Sequence, residues 1–190
     1  MGQVRIIGGL WKRSVLRVLD RPGLRPTPDR VRETLFNWIE SWAQTPLTQS
    51  RVCDVFAGTG ALAFEAASRG AASVVALESD ALAAKEIAQA AERLGAHNLK
   101  ALKTDALSFL ARQPANSFDL VFLDPPFGHG LLAQGLAAAK AVLSPQGMVH
   151  VEGERPWREL LSPEQQLGWL EQRSAKAGAV HHALLSLDPS

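Results

Sequence analysis

The sequence predicts an α/β fold: a mostly parallel, seven-stranded sheet with helices on both faces, preceded by a small N-terminal β-hairpin and helix. Three features lead to it. From residue 51 onward, short β-rich runs alternate with Ala-rich segments of helical length, and such alternation builds a parallel sheet covered on both sides. The first of these runs leads straight into a glycine turn that opens a helix, the arrangement of a ligand-binding strand–turn–helix unit. The last two β-rich runs, 168–174 and 179–187, have no clear helix between them and are expected to pair antiparallel.

The elements follow in order. Val4 and Ile6, then Val15, Leu16 and Val18, flank a Gly8-Gly9 break and read as short strands. Residues 21–26 contain two prolines and a glycine and form a loop. Thr27 is a good N-cap and Pro28 is tolerated at the first helical position. Val31, Leu35, Trp38, Ile39 and Trp42 then keep one apolar face at helical spacing. The later strands are expected at Arg51–Phe56, Ser73–Leu77, Leu99–Thr104, Phe118–Leu123 and Gly147–Val151, with helices over 61–69, 80–95, 105–112 and 130–142. Residues 1–45 form an N-terminal extension and 46–190 the main domain. His181 and His182 are neighbours on a strand, so at least one faces outward, and Trp157 is expected to pack near the sheet edge.

Of the 190 residues, 46% are hydrophobic and 21% charged, a globular composition. No apolar run approaches the roughly eighteen residues that span a bilayer, and the N-terminus lacks a signal-peptide core, so the cytoplasm is the expected location and no membrane role is expected. Cys53 is the only cysteine, which excludes an internal disulfide and a cysteine zinc cluster, and no metal is expected. Net charge is +1, unevenly spread: residues 1–35 carry eight basic and three acidic side chains, a net of +5, and the remainder a net of −4. Such a basic arm is either a handle for a polyanion or a solvated, Arg-rich surface.

Three places carry chemistry. Asp54-Val55-Phe56-Ala57-Gly58-Thr59-Gly60 ends a strand and opens a helix. Gly58 and Gly60 let the backbone approach a ligand. Asp54 suits no pyrophosphate, but it can face the ammonium of an amino-acid ligand. Glu78 ends the next strand twenty residues beyond Gly58, where an acid accepts from both ribose hydroxyls, and Ser79 can lie beside an adenine. Asp105 opens the helix after the third strand. It is either an N-cap or an acceptor for the adenine amino group, with Ala106 offering a backbone contact. Asp124-Pro125-Pro126-Phe127 ends the fourth strand. The two prolines aim the Asp124 carboxylate and the Pro125 carbonyl at one point. Two converging acceptors suit an amine, and Phe127 offers a face for a planar base. A base amine has its lone pair delocalised into the ring. Accepting both its hydrogens localises that pair toward an electrophilic methyl, so positioning carries much of the barrier reduction. His129, next to this motif, is as readily a solvent-exposed loop residue and is given no role.

With these motifs in place, residues 51–152 resemble a Rossmann-like class I methyltransferase, and Asp124–Phe127 the signature of amino-group methyltransferases acting on adenine N6, guanine N2 or a glutamine amide. The N-terminal stretches Arg5–Gly9 and Leu24–Asn37, together with Asp54–Gly70, resemble the RsmD family, and the likeness extends over about residues 3–187. It implies S-adenosylmethionine as cofactor and N2 methylation of guanine 966 of bacterial 16S rRNA in the small ribosomal subunit, by a monomer. It also implies that Thr27 and Arg30 sit near the cofactor as a lid and that Phe56 joins Asp54, Gly58 and Gly60 in the cofactor site. Asp124, beside the cofactor, would hold the guanine together with Phe127. Arg5, Lys12, Arg13, Arg17 and Arg32 are the candidates for phosphate contacts. The chain departs from the family at Leu10–Val15, where relatives carry a further glycine and a basic pair.

Other readings explain less. A DNA adenine methyltransferase usually needs a target-recognition insert, for which this chain has no room. A protein-glutamine methyltransferase leaves the basic arm without a purpose. A nicotinamide-dependent oxidoreductase leaves Asp54 and Asp124–Phe127 unexplained, and a non-catalytic RNA-binding module leaves the ligand acids unexplained.

Overall fold

The computed structural model describes residues 2–19, 27–42, 46–126 and 130–189. β1 (Gly2–Arg5) and β2 (Val15–Val18) form an antiparallel hairpin with Gly2 opposite Val18 and Arg5 opposite Val15. Helix α1 (Asp29–Trp42) follows. The carbonyl of Pro28 accepts from the amides of Val31 and Arg32 at 3.0 and 3.1 Å. Pro28 therefore takes the cap position expected of Thr27: its missing amide costs nothing there, and its carbonyl starts the helical ladder.

The main sheet is built from β3 (Arg51–Asp54), β4 (Ser73–Glu78), β5 (Leu99–Lys103), β6 (Phe118–Leu123), β7 (Leu143–Gly153), β8 (Trp169–Ala177) and β9 (Val180–Leu187). Between these strands run α2 (Ala61–Ser68), α3 (Ala81–Leu94), α4 (Ala106–Leu110), α5 (Leu131–Val142) and the single-turn α6 (Pro163–Gln166). The spatial order is β5-β4-β3-β6-β7-β9-β8, parallel from β5 to β7, with β9 antiparallel to both β7 and β8. This is the expected architecture, with most element ends within a residue or two of the sequence reading. β7 starts earlier than its apolar run implied, because Leu143 still pairs with Phe118 across a register shift. The chain reverses its winding between β3 and β6, and the crevice beyond the carboxyl ends of those strands is where such sheets bind ligands.

Each face of the sheet has its own core. Helices α1, α2 and α3 bring Leu35, Phe36, Phe64 and Ile87 against Val52, Ala76, Phe122 and Leu184 on one side. Helices α4 and α5 bring Leu110, Leu136 and Val142, with Trp157, against Val121, Val149 and Leu185 on the other. Ile6 and Leu16 of the N-terminal hairpin region belong to the first core. None of the described helices is long and apolar enough to cross a membrane.

The hairpin is held to α2 by backbone geometry as well as by packing. The Leu10 amide donates to the Ser68 carbonyl at 2.7 Å, and the Ser68 hydroxyl donates to the Gly8 carbonyl at 2.7 Å. Gly9 has φ +73, and a Cβ there would lie 1.9 Å from the Ser68 carbonyl oxygen. The Gly8-Gly9 pair thus lets the loop cap the C-terminus of α2, whose last carbonyls need partners. Arg13 also has positive φ, 74°, although it is not glycine. Its conformation costs on the order of 1 kcal/mol.

Beneath the hairpin lies an ionic cluster whose central pair, Arg32 and Glu65, is closed to water. Glu65 and Arg32 are both 0% exposed. Glu65 accepts from the Ile7 amide at 2.9 Å and from Arg69 Nε at 3.0 Å, and lies 3.6 Å from Arg32 Nη1. Arg32 also donates to the Arg5 carbonyl at 2.8 Å and pairs with Asp29, while Arg69 reaches Glu40 at 2.9 Å. Removing one member of such a cluster strands the opposite charge in the interior. Glu65→Ala is expected to destabilise the protein by about 3–5 kcal/mol in urea denaturation. A loss below about 1 kcal/mol would show that the cluster does not hold the extension in place.

Candidate active site

The candidate site lies along the carboxyl edge of β4, β3 and β6. Asp54, the last residue of β3, is 2% exposed. Its Oδ2 accepts from the amide of Ala63 in the first turn of α2 at 3.1 Å. The helix N-terminus, which in dinucleotide-binding folds receives a phosphate, is here supplied with the protein's own carboxylate. Gly60 precedes the helix at φ +75, a conformation that favours glycine, and a Cβ there would crowd Ile87 at 3.1 Å and Phe64 at 3.3 Å. Phe56, half-buried, packs on the core of the opposite sheet face.

Glu78 closes β4 with both oxygens directed at backbone: Oε2 accepts from the Gly58 amide at 2.8 Å and Oε1 from the Asp80 amide at 2.7 Å. It therefore braces the glycine turn against β4, and a carboxylate has further lone pairs for hydroxyl donors. Ser79 is exposed beside it. Asp105 caps α4, its Oδ1 accepting from the Ser108 amide at 2.8 Å. Ser108, through hydroxyl and amide, holds the Asp105 carboxyl below the usual range. Of the two sequence readings of Asp105, this geometry supplies the capping one. Ala106 is buried directly behind it.

Asp124 follows the last residue of β6 and is half-buried, with Pro125 buried and Pro126 exposed after it. Burial pushes the Asp54 carboxyl up from 3.8 to about 7, against the Ala63 hydrogen bond, and the charges of Asp124 and Glu78 raise it further. Three acids thus act on one small volume, an environment suited to a cationic ligand and hostile to a pyrophosphate. Phe127 and His129 lie outside the described residues.

Thr27 is buried and Arg30 is exposed on the first turn of α1. Of the proposed phosphate contacts, Arg5, Lys12, Arg13 and Arg17 are exposed on the hairpin and its loop. Arg5 and Arg17 share its outward face, and Leu16 and Arg17 line a small cavity with Gly58 and Thr59, so the basic hairpin borders the glycine turn. Arg32 is a correction: it is fully buried and committed to Asp29, Glu65 and the Arg5 carbonyl. A guanidinium so placed cannot reach a phosphate. The sequence reading missed Glu65 and Arg69, whose i,i+4 spacing was the available signal. It also missed the buried polar group of His150, Glu152 and His182.

This strand order extends the dinucleotide-binding sheet by an antiparallel β9 inserted between β7 and β8, and with the acid-lined edge it defines a Rossmann-like methyltransferase. Precorrin-6y C5,15-methyltransferase from Geobacter metallireducens has the same fold, with a TM-score of 0.69 at 15% identity, over 91% of this chain and 94% of that one. Residues 4–186 match the family model described as conserved hypothetical protein 95. Ribosomal RNA small subunit methyltransferase D from Escherichia coli K12 is 40% identical over 186 residues, covering 96% of this chain and 89% of the relative. The solved structure of yhhF from Escherichia coli superposes with a TM-score of 0.84 at 34% identity over the whole of both chains. The chain belongs to the ribosomal RNA small subunit methyltransferase D family.

A carboxyl group whose pKa is raised on folding contributes stability that is complete below its unfolded pKa and is lost as pH rises through the folded value. For Asp54 that window runs from 3.8 to about 7. Asp54→Asn, which cannot ionise, is therefore expected to be more stable than the ligand-free wild type at about pH 8, by roughly 2–4 kcal/mol. The gap should close near about pH 4. Urea denaturation at the two pH values reads it, and an offset independent of pH would contradict the burial of this charge.

Proposed function

We propose that this protein transfers a methyl group from S-adenosylmethionine to the exocyclic N2 of a guanine in 16S rRNA, guanine 966, presented by the assembled small ribosomal subunit. It acts in the cytoplasm as a monomer. The observation that carries the reading is Asp124, set at the end of β6 and within electrostatic reach of the buried Asp54, with the Pro125 carbonyl next in the chain. A ligand-binding carboxylate and an amine acceptor thereby border one crevice.

The residues fit the donor. Asp54 offers a buried carboxylate to an ammonium, Glu78 offers remaining lone pairs to ribose hydroxyls, and Ser79, Asp105 and Ala106 border the adenine position. When bound, S-adenosylmethionine supplies an electrophilic methyl on a sulfonium. The Asp124 carboxylate and Pro125 carbonyl hold the two hydrogens of the guanine amine, turning its lone pair toward that methyl. Asp124 then takes the released proton or passes it to water. Phe127 stacks on the base, and Thr27 and Arg30 close over the cofactor. Methylation at N2 requires the guanine to be unstacked, which folded or looped RNA permits more readily than an A-form helix. The names of the relatives, ribosomal RNA small subunit methyltransferases, favour this substrate over DNA or a protein amide.

Small subunits from cells lacking the enzyme, incubated with labelled S-adenosylmethionine, are expected to yield labelled N2-methylguanosine after digestion. Asp124→Ala is expected to lose at least about a hundredfold in rate while still binding the cofactor. Absence of label with wild-type protein that binds the cofactor would overturn the rRNA assignment.

Arg5 and Lys12 are expected to meet phosphates. Replacing both with alanine should flatten the log–log dependence of subunit binding on salt by about 1.5 in slope, as two phosphate contacts are lost. An unchanged slope would remove the hairpin from the RNA interface.

A further inference from the structure

The N-terminal hairpin lies lengthwise along α2. Val18, at its open end, packs with Val4 on Ala61, the first residue of that helix, while the Gly8–Leu10 loop is bonded to Ser68, the last. The open end therefore sits at the carboxyl edge of the sheet, where Leu16 and Arg17 border Gly58 and Thr59. The tip sits toward the opposite edge, about 12 Å away along the helix. Helix α3 descends beside β2 in the same direction, from its cap at Asp80 to Gly95. Glu86 on α3 approaches Arg17 at 3.7 Å, and two turns further down Arg93 Nη2 donates to the Val15 carbonyl at 3.3 Å.

Arg17, Arg5, Arg93, Lys12 and Arg13 are all exposed, and this packing sets them in one band from the glycine turn to the hairpin tip. Asp29 reaches Arg5 at 4.0 Å and Glu86 reaches Arg17. Among the described residues, no carboxylate lies within ion-pair distance of Lys12, Arg13 or Arg93. The band thus carries more cations than the fold neutralises, spread over a distance that suits a polyanion better than a single phosphate. The opposite end of the sheet differs. There the segment between β7 and β8 exposes Glu154, Glu159 and Glu164 alongside Arg155 and Arg158, a mixed surface that offers a phosphate backbone no such path.

We infer that the RNA flanking the target nucleotide leaves the crevice on the β3–β4 side and runs down this band, with Arg93 of α3 as a phosphate contact beyond those of the hairpin. This rests on the rRNA reading above and adds to it a path and a binding residue. The acids of the crevice repel a phosphate backbone, so only the unstacked base enters while its backbone stays on the cationic rim. Arg93 is suited to that place. Its bond to the Val15 carbonyl uses one of five guanidinium donors and fixes the side chain beside the hairpin, and the remaining donors match phosphate oxygens.

The test measures binding of the full-length enzyme to small ribosomal subunits across a salt series. Arg93→Gln keeps a donor for the Val15 carbonyl and removes the charge. It is expected to flatten the log–log salt dependence by about 0.8 in slope, the loss of one phosphate contact. Its affinity for S-adenosylmethionine, read by calorimetry, should match wild type. Arg158→Gln, on the far side of the sheet, should leave the slope unchanged. A second measurement locates the RNA directly. Cys53 is fully buried, so a cysteine introduced at exposed Gln89 of α3 or at exposed Glu164 takes a tethered iron probe alone. Gln89→Cys is expected to cleave the 16S rRNA backbone near the methylated nucleotide, and Glu164→Cys to leave it intact. An unchanged slope for Arg93→Gln, an equal loss for Arg158→Gln, or cleavage from Glu164→Cys as strong as from Gln89→Cys overturns the path while the rRNA reading stands. If wild-type enzyme neither binds nor methylates the subunit, that reading falls and the path falls with it.

Discussion

Glu65 is a carboxylate without access to water, on a helix whose eight residues are all buried. It joins the chain ahead of β3 to the sheet through three directions of contact: the Ile7 amide after β1, the Arg32 guanidinium of α1 and the Arg69 guanidinium that follows α2. A buried charge is tolerated only when it is surrounded by partners, so these three segments must arrive together. The hairpin loop can approach α2 only because Gly9 has no side chain, and α1 lays Phe36 on Phe122 of β6 and Trp38 on His182 of β9. The N-terminal extension is therefore not a separate body: Ile6, Leu16, Leu35 and Phe36 share one core with Val52 and Phe122.

This arrangement fixes the electrostatics of the crevice. In a dinucleotide-binding sheet the first helix N-terminus is open to a phosphate. Here Asp54 fills that role from within the fold, its carboxylate accepting from Ala63. The cost is a carboxyl pushed up to about 7 by burial and by its acidic neighbours. A cationic ligand offsets that cost, whereas a second anion adds to it. The basic side chains of the hairpin, Arg5, Lys12, Arg13 and Arg17, stay on the outer surface. The molecule thus separates an anionic crevice from a cationic rim, as a cationic donor and a polyanionic substrate would require.

The covering of the sheet by α1 has a further effect. Phe36 packs edge-on against Phe122 at 6.0 Å, and Trp38 stacks on His182. The face under α1 thereby becomes a closed environment in which His150, Glu152 and His182 sit among apolar side chains. Neutral imidazoles are tolerated in such surroundings, and burial holds both His150 and His182 in that form.

The sequence alone determined the order and kind of the elements, because strand and helix periodicities are local and the Gly and Pro breaks between them are unambiguous. It also located Asp54, Glu78 and Asp124 at strand ends, since in a parallel sheet every carboxyl terminus faces the same edge. What it could not distinguish was the use of an arginine. Arg32 and Arg17 look alike in a basic arm, yet one is buried against Glu65 and the other exposed. Nor could it bring Glu152 beside His182, because those residues meet only through the antiparallel pairing of β7 with β9. Burial and cross-strand register are properties of distant segments packed together, and only the tertiary structure decides them.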